Sequence, residues 1–384
     1  MNKTLALCIC IAFLLCACGE SKPAQTAGTT ASTTLPDPTD ITENTITEPT
    51  VTFESPFVAL SMPISKVEAL AQDGELLYTY TSQSFSLILP DPDAAQLIMN
   101  DFSNRADSAG NAARMVHEAA NSDYSGQEGW IPYVYSELYA PARLDQSILS
   151  LFGSEIVFDG SSRSATVDLS LTYDLLTGNI LDEISQILVD DYSADSLCDL
   201  IYAQLASLAE DDILFADYAY IISDMFTTNT PVTNWYFSRN GICFYFMPYE
   251  IAPHSAGTIV AEVPYSSLVG LLQDRYFPAE AVDMNGKPLL SRYVPDASYA
   301  QMAELELEEN AEKYVLYAEG ALFDVTIAQK YADGTENKPV FAAASLCSGD
   351  AIVIHCSDEQ IKDLVLTYRA NGEYVSTPLC DSFS

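Results

Sequence analysis

Residues 234–272, NWYFSRNGICFYFMPYEIAPHSAGTIVAEVPYSSLVGLL, admit few backbone paths. Two runs, Trp235-Tyr236-Phe237 and Ile242-Cys243-Phe244-Tyr245-Phe246, flank Ser238-Arg239-Asn240-Gly241. Asn-Gly tolerates the positive φ of a primed turn, whose twist matches that of paired strands, so the spacing predicts a β-hairpin. Residues 247–257 hold Pro248 and Pro253, which cannot donate to a ladder, and predict an ordered loop or sheet edge. Residues 259–263 read as a further strand, and Pro264 suits the opening turn of a short helix over 265–272.

The flanking sequence supplies partners for that hairpin. Residues 75–80 and 84–89 alternate like half-buried strands, and Pro90-Asp91-Pro92-Asp93 stops the second and starts a helix. Residues 94–120 carry Leu97, Ile98, Phe102, Ala106, Ala113, Val116 and Ala120 at helical spacing, with a break expected near Gly110. After a polar loop at 123–129 come strands over 131–139, 148–158 and 165–173; Val167, Leu169, Leu171 and Tyr173 share one face of the last. Residues 180–189, 196–208 and 211–226 read as helices, the second capped by Ser193 or Asp195 and striped by Leu197, Leu200, Ile201, Leu205 and Leu208. Asn229-Thr230-Pro231 leads into the hairpin. Residues 57–280 thus predict an α+β domain, a mainly antiparallel sheet with packed helices. Gly286-Lys287-Pro288 and Val294-Pro295-Asp296 mark a linker over 281–298. Beyond it the acidic run 304–312 reads as an exposed strand or helix face. Short β runs follow at 313–317, 321–328, 340–345, 351–355, 364–368 and 374–376, with turns at Asp333-Gly334 and Asn371-Gly372. They predict a small sandwich-like all-β domain over 299–384.

Lys3 precedes an apolar run over 5–17, too short to span a bilayer and matched to the core of a secretory signal. It ends Leu15-Cys16-Ala17-Cys18-Gly19, the pattern of a bacterial lipoprotein box with Cys18 as the lipidated residue. An ordinary signal peptide cut elsewhere and an uncleaved anchor are the alternatives. The reading gives a signal peptide at 1–17 and a tether at 18–56, whose Thr, Pro, Ser and acidic residues cannot bury enough surface to order it. Acyl chains on Cys18 then hold the protein to the lipid bilayer, on the extracellular face of the cytoplasmic membrane.

The formal charge is −38, which argues against nucleic acid and steers cationic partners inward. Solubility alone is the alternative role for that charge. Five cysteines follow Cys18: Cys198, Cys243, Cys347, Cys356 and Cys380. An odd number is not a complete disulfide set, and the first two read as buried small hydrophobes. Pairing among Cys347, Cys356 and Cys380 stays open. The three histidines, His117, His254 and His355, lie outside metal-ligand spacing of one another. No nucleophile elbow, phosphate loop or dinucleotide fingerprint appears.

The stretch GICFYFMPYEIAPHSAGTIVAEVPYSSL resembles the signature of the extracellular domain of lysozyme-sensing anti-sigma factors, which also occurs beside the catalytic domain of some peptidoglycan deacetylases. The resemblance extends over about residues 75–272 and takes in Asp174-Leu175-Leu176-Thr177-Gly178 as the family's Asp–x–x–Thr–Gly turn. It departs at Gly160-Ser161-Ser162-Arg163-Ser164, where relatives carry a Gly-Gly-Ala-His-Pro-like loop, so that loop's ligand contact does not transfer. The deacetylase partner domain needs a histidine pair and aspartates around a metal, and this chain has no such set. The resemblance therefore implies a lipid-anchored extracellular binding protein of the cell envelope with no catalytic residues, metal or cofactor. It would capture a cationic protein such as lysozyme, or a peptidoglycan fragment. An accessory to a peptidoglycan-modifying enzyme and a passive envelope scaffold are the rival roles. Tyr249, Glu250, His254 and Gly257 are the candidate ligand-binding residues, against the alternative that they lock the hairpin to the next strand. Glu250 and His254 are the stronger of these, because short polar loops expose such side chains.

Overall fold

The computed structural model describes residues 57–161, 164–228, 231–279, 288–292, 299–330 and 337–383. Cys18 with the signal and tether, residues 162, 163, 229 and 230, the Asp333-Gly334 turn and most of the linker 281–298 lie outside the described residues. Strand β1 (Ala59–Ser61) lies in the run 57–62, in which every side chain is buried. β2 (Ile64–Leu70) and β3 (Leu76–Gln83) pair antiparallel, and β4 (Ser86–Ile88) returns to pair with β1. Helix α1 (Pro92–Asp123) then crosses to β5 (Tyr133–Leu144), which lies parallel to β3. Parallel neighbours need such a crossover. β6 (Ile148–Phe158) and β7 (Ala165–Asp174) complete a sheet ordered β2-β3-β5-β6-β7.

α1 begins where the Asp91 carboxylate accepts the Asp93 and Ala94 amides. Its buried stripe packs Ile98 and Phe102 with Tyr139 and Leu171, and Ala109, Ala113, Val116 and Ala120 with Tyr78, Tyr133 and Tyr135. The expected break near Gly110 does not occur. A mid-helix glycine costs about 1 kcal/mol relative to alanine, and the apolar burial on both sides of it is worth more.

On the opposite face of this sheet sits the hairpin. Helix α2 (Ala194–Glu210), capped by Ser193 as expected, and α3 (Tyr218–Thr227) precede β8 (Trp235–Phe237), β9 (Gly241–Phe246) and β10 (Ile259–Pro264), ordered β10-β9-β8. Tyr236 and Tyr245 turn one way, onto Phe152 of β6 at 4.4 and 5.3 Å between ring centroids. Trp235, Phe237, Ile242, Phe244 and Phe246 turn the other way, into a core with Leu197, Ile201, Leu205 and Ile222 of α2 and α3. The layers therefore run α1, five-stranded sheet, hairpin sheet, α2–α3.

Two expected helices differ. Residues 180–189 hold only a 3-10 turn, Ile184–Gln186, because β-bridges Tyr173↔Ile180 and Leu188↔Leu272 tie both ends of the segment to neighbouring chain. Residues 211–217 are a turn before α3: Asp212 takes φ 55°, and the Phe215 amide is spent on the Ile251 carbonyl. The expected helix after Pro264 is likewise a single 3-10 turn, Tyr265–Ser267.

The C-terminal strands are β11 (Pro288–Ser291), β12 (Met302–Glu306), β13 (Lys313–Ala318), β14 (Leu322–Lys330), β15 (Asn337–Leu346), β16 (Ala351–His355), β17 (Leu364–Ala370) and β18 (Glu373–Pro378). A six-stranded sheet, β18-β17-β14-β15-β1-β4, faces a four-stranded one, β11-β13-β16-β12, across an apolar core. This is a sandwich, but it is not confined to 299–384. β1 and β4 lie beside β15, β11 comes from the expected linker, and the described residues fall within one compact unit. The reason lies in the run 57–62. Phe57 and Ala59 join the sandwich core, while Val58, Leu60 and Met62 join α1 and the five-stranded sheet through the opposite face. The six-stranded sheet is the wall common to both cores. The acidic run begins as β12, its Ala303 and Leu305 inward and its glutamates outward. No described helix is long and apolar enough to cross a membrane.

Candidate functional site

The loop between β9 and β10 is held by its own backbone. Tyr249 N–H donates to Ala252 O, Glu250 N–H to Met247 O, Ala256 N–H to Pro253 O and Gly257 N–H to His254 O. Ile251 and Ala252 are buried beneath it. This anchoring exposes some of the four candidate residues and not others. Tyr249 is 65% exposed and sits at φ 74°, a left-handed conformation that costs an L-residue about 1–2 kcal/mol. Its ring lies 5.4 Å from that of His254, which is also exposed. Glu250 is only partly exposed, and its carboxylate accepts the Met247 amide at 2.7 Å, closing the turn. Gly257, at φ 69°, serves the backbone path. Of the two residues favoured from sequence, His254 faces solvent and Glu250 braces the loop, while Tyr249 is the more prominent side chain.

The surroundings of this loop are acidic. Its Ile251 carbonyl receives the Phe215 amide at 2.8 Å, which joins it to the connection between α2 and α3. From Ser164 to Ser238 every charged residue is Asp or Glu. Asp195, Asp199, Glu210, Asp211, Asp212, Asp217 and Asp224 on and between the two helices are exposed, as is Tyr220. Charge counted over windows rather than over the whole chain would have revealed this block from sequence.

Beneath the loop's sheet lies an ionic node that sequence reading missed. The Arg143 guanidinium, 4% exposed, donates through Nε to Asp145 at 2.7 Å, and through Nη1 to the Tyr265 hydroxyl and the Tyr276 carbonyl at 2.7 Å each. The rings of Phe237 and Tyr265 stand 5.0 and 5.3 Å from its Cζ. Nearby, Arg275 pairs with the buried Asp174, whose carboxylate also accepts the Leu176 amide in the Asp174–Gly178 turn.

A second polar group lies between α1 and the five-stranded sheet. A cavity of about 30 Å³, lined by Tyr80, Gln83, Phe85, Arg105, Glu137 and Tyr139, has room for little more than water. Arg105 pairs with Asp101 at 2.7 Å, and Asp101 also accepts the Tyr173 hydroxyl. Glu137 lies opposite Glu155 in the β5–β6 register and accepts the Tyr139 hydroxyl. Burial, aided by the Glu155 charge and opposed by the Tyr139 bond, holds the Glu137 carboxyl above its ordinary pKa. A carboxyl raised on folding favours the fold while protonated and loses that advantage as pH rises through its folded value. Glu137→Gln therefore removes a decline in stability that wild type shows on leaving the acidic range. Paired urea titrations from pH 4 to pH 7 check this, and parallel curves would refute it.

Among the described residues no group of three or more His, Cys, Asp and Glu is placed to hold a metal ion. His117 stacks on Tyr78 at 5.1 Å, and the buried Nε2 of His355 has no hydrogen-bond partner. Cys198, Cys243, Cys356 and Cys380 carry free thiols. Burial pushes the Cys243 thiol up to about 11 and Cys356 to about 12, away from reactive thiolate.

These elements define an α+β protein with an exposed aromatic loop beside an acidic helical face. Residues 183–266, spanning α2 to the end of the loop's sheet, match a family described as a protein of unknown function, DUF3298. Two solved DUF3298 structures are similar to this chain. One from Bacteroides fragilis is 15% identical, covering 56% of this chain and 94% of that one at a TM-score of 0.44. One from Pseudomonas aeruginosa is 16% identical, covering 58% and 97% at a TM-score of 0.42. No curated protein matches.

Proposed function

We propose that this protein is a lipid-anchored binding protein on the outer face of a bacterial membrane, which captures a cationic envelope ligand such as a lysozyme-like protein. The observation that carries this reading is Tyr249: a large ring left in solvent, on strained backbone, beside His254, in a loop whose Ile251 carbonyl is bonded to the acidic α2–α3 connection. Strained, exposed aromatics on rigid loops are favoured recognition anchors, and a tyrosine face attracts lysine and arginine directly. The exposed carboxylates on and between α2 and α3 steer the ligand in and fix its sign of charge, at a rate that falls with salt.

Hen lysozyme immobilised on resin should retain the purified protein at moderate salt and release most of it at high salt. Tyr249→Ala should weaken capture by about 2 kcal/mol, roughly 30-fold. Absence of binding at both salt levels eliminates that ligand. Undiminished binding by Tyr249→Ala places the contact elsewhere.

A further inference from the structure

Arg239, at the tip of the β8–β9 hairpin, is exposed and reaches the six-stranded sheet. Its Nη2 lies 3.4 Å from the Thr326 hydroxyl of β14, and its Cζ stands 5.0 Å from the Tyr374 ring centroid of β18. It forms no ion pair among the described residues, in a chain with 54 acidic side chains. The nearby acid, Asp324, is already committed. Its Oδ2 accepts Arg369 Nε and the Tyr374 hydroxyl at 2.9 Å each, and it sits at φ 51° where the β14–β17 register shifts. Asp324 thus fixes the tyrosine platform rather than neutralising Arg239. A small groove of about 10 Å³ lies here, lined by Arg239, Asp324, Thr326, Pro141 and Ala142 among others.

A guanidinium stacked on a ring uses its face and keeps its in-plane N–H donors, the fork that matches a carboxylate. The Thr326 hydroxyl, accepting weakly from Arg239, keeps its own proton to donate. We propose that Arg239, Thr326 and Tyr374 form a binding site for a carboxylate group, at the junction of the motif hairpin and the C-terminal sheet. The site is separate from the Tyr249 loop and does not depend on what that loop binds. The chain's net negative field opposes a free anion, but the Debye length is about 8 Å at physiological salt, so the adjacent guanidinium dominates locally.

The chemistry is shared by a peptide C-terminus and a uronic acid, so the test uses both. N-acetylglycine and glucuronate are titrated into the purified protein while the Arg239 Nε–H and Thr326 amide signals are followed by NMR, with neutral N-acetylglycinamide as control. At least one acid should saturate with a dissociation constant at or below about 1 mM, and the tighter one names the source. The amide should bind at least tenfold more weakly. Arg239→Gln, at an exposed position, should keep its thermal midpoint and lose at least tenfold in affinity. Saturation by neither acid, or equal binding to Arg239→Gln, overturns the proposal.

Discussion

Replacing Arg143 with alanine should lower folding stability by about 3–5 kcal/mol, the cost of breaking a buried, hydrogen-bonded ion pair from one side. The reason is what stays behind. Asp145, about one-quarter exposed, loses the guanidinium that meets it at 2.6 and 2.7 Å, and the Tyr276 carbonyl loses its buried donor. The gap between Phe237 and Tyr265 adds a cavity and forfeits two cation–π contacts. Arg143→Lys should recover only part of the loss, since an ammonium on a flexible stem cannot fork between Asp145, Tyr265 and Tyr276 at once. Arg143→Met refills volume without donors and should fall nearer alanine than lysine. Urea titration should show the midpoint falling from wild type to lysine, then methionine, then alanine, with an unchanged slope. An alanine variant within 1 kcal/mol of wild type would mean that solvent replaces the guanidinium without cost.

No local pattern marks Arg143. Its partners Tyr265 and Tyr276 lie 122 and 133 positions away, and only the folded sheets bring them together. The α+β class was legible because α1, α2 and most strands repeat at 3.6 or 2 residues. The strands after 313 were found near their true bounds because short runs of apolar, β-branched and aromatic residues end at turn signals such as Asn371-Gly372. The run 57–62 was not assigned, because a strand buried on both faces has no alternation to detect. That omission also hid the wall shared by the two cores and made 299–384 look like a separate domain. Residues 180–189 misled in the opposite way. Leu181, Ile184, Ile187 and Leu188 imitate a helical stripe, yet all four enter one core from an irregular segment pinned at both ends. At the loop, sequence favoured Glu250 and His254 as the exposed pair, whereas Glu250 is tied to the Met247 amide and Tyr249 stands out beside His254. Hydrogen bonds within the turn decide that.

The same dipeptide, Asn-Gly, closes two hairpins here for different reasons, and this leads to the sharpest prediction. Asn371 and Gly372 both take positive φ, 53° and 79°, as a primed turn requires. Neither Asn240 nor Gly241 does. Gly241 is instead the first residue of β9, pressed against β10: a Cβ there would stand 2.0 Å from the Val263 carbonyl oxygen, 2.7 Å from Val263 C and 2.9 Å from Pro264 Cα. Every one of those atoms is backbone, so no side chain can rotate away. Gly241→Ala must push β9 and β10 apart, losing the Ile242↔Val263 and Phe244↔Ala261 packing over α2. The expected cost exceeds about 4 kcal/mol, in the range reserved for overpacked cores and broken ladders. Gly241→Asn separates the two explanations. Asparagine tolerates the left-handed region, so a glycine retained for its φ would accept it at little cost. One retained for close approach rejects asparagine as firmly as alanine. Both variants should therefore lose the near-ultraviolet signal of the buried Trp235 and unfold at far lower urea than wild type. A nearly wild-type Gly241→Asn would return this glycine to the turn.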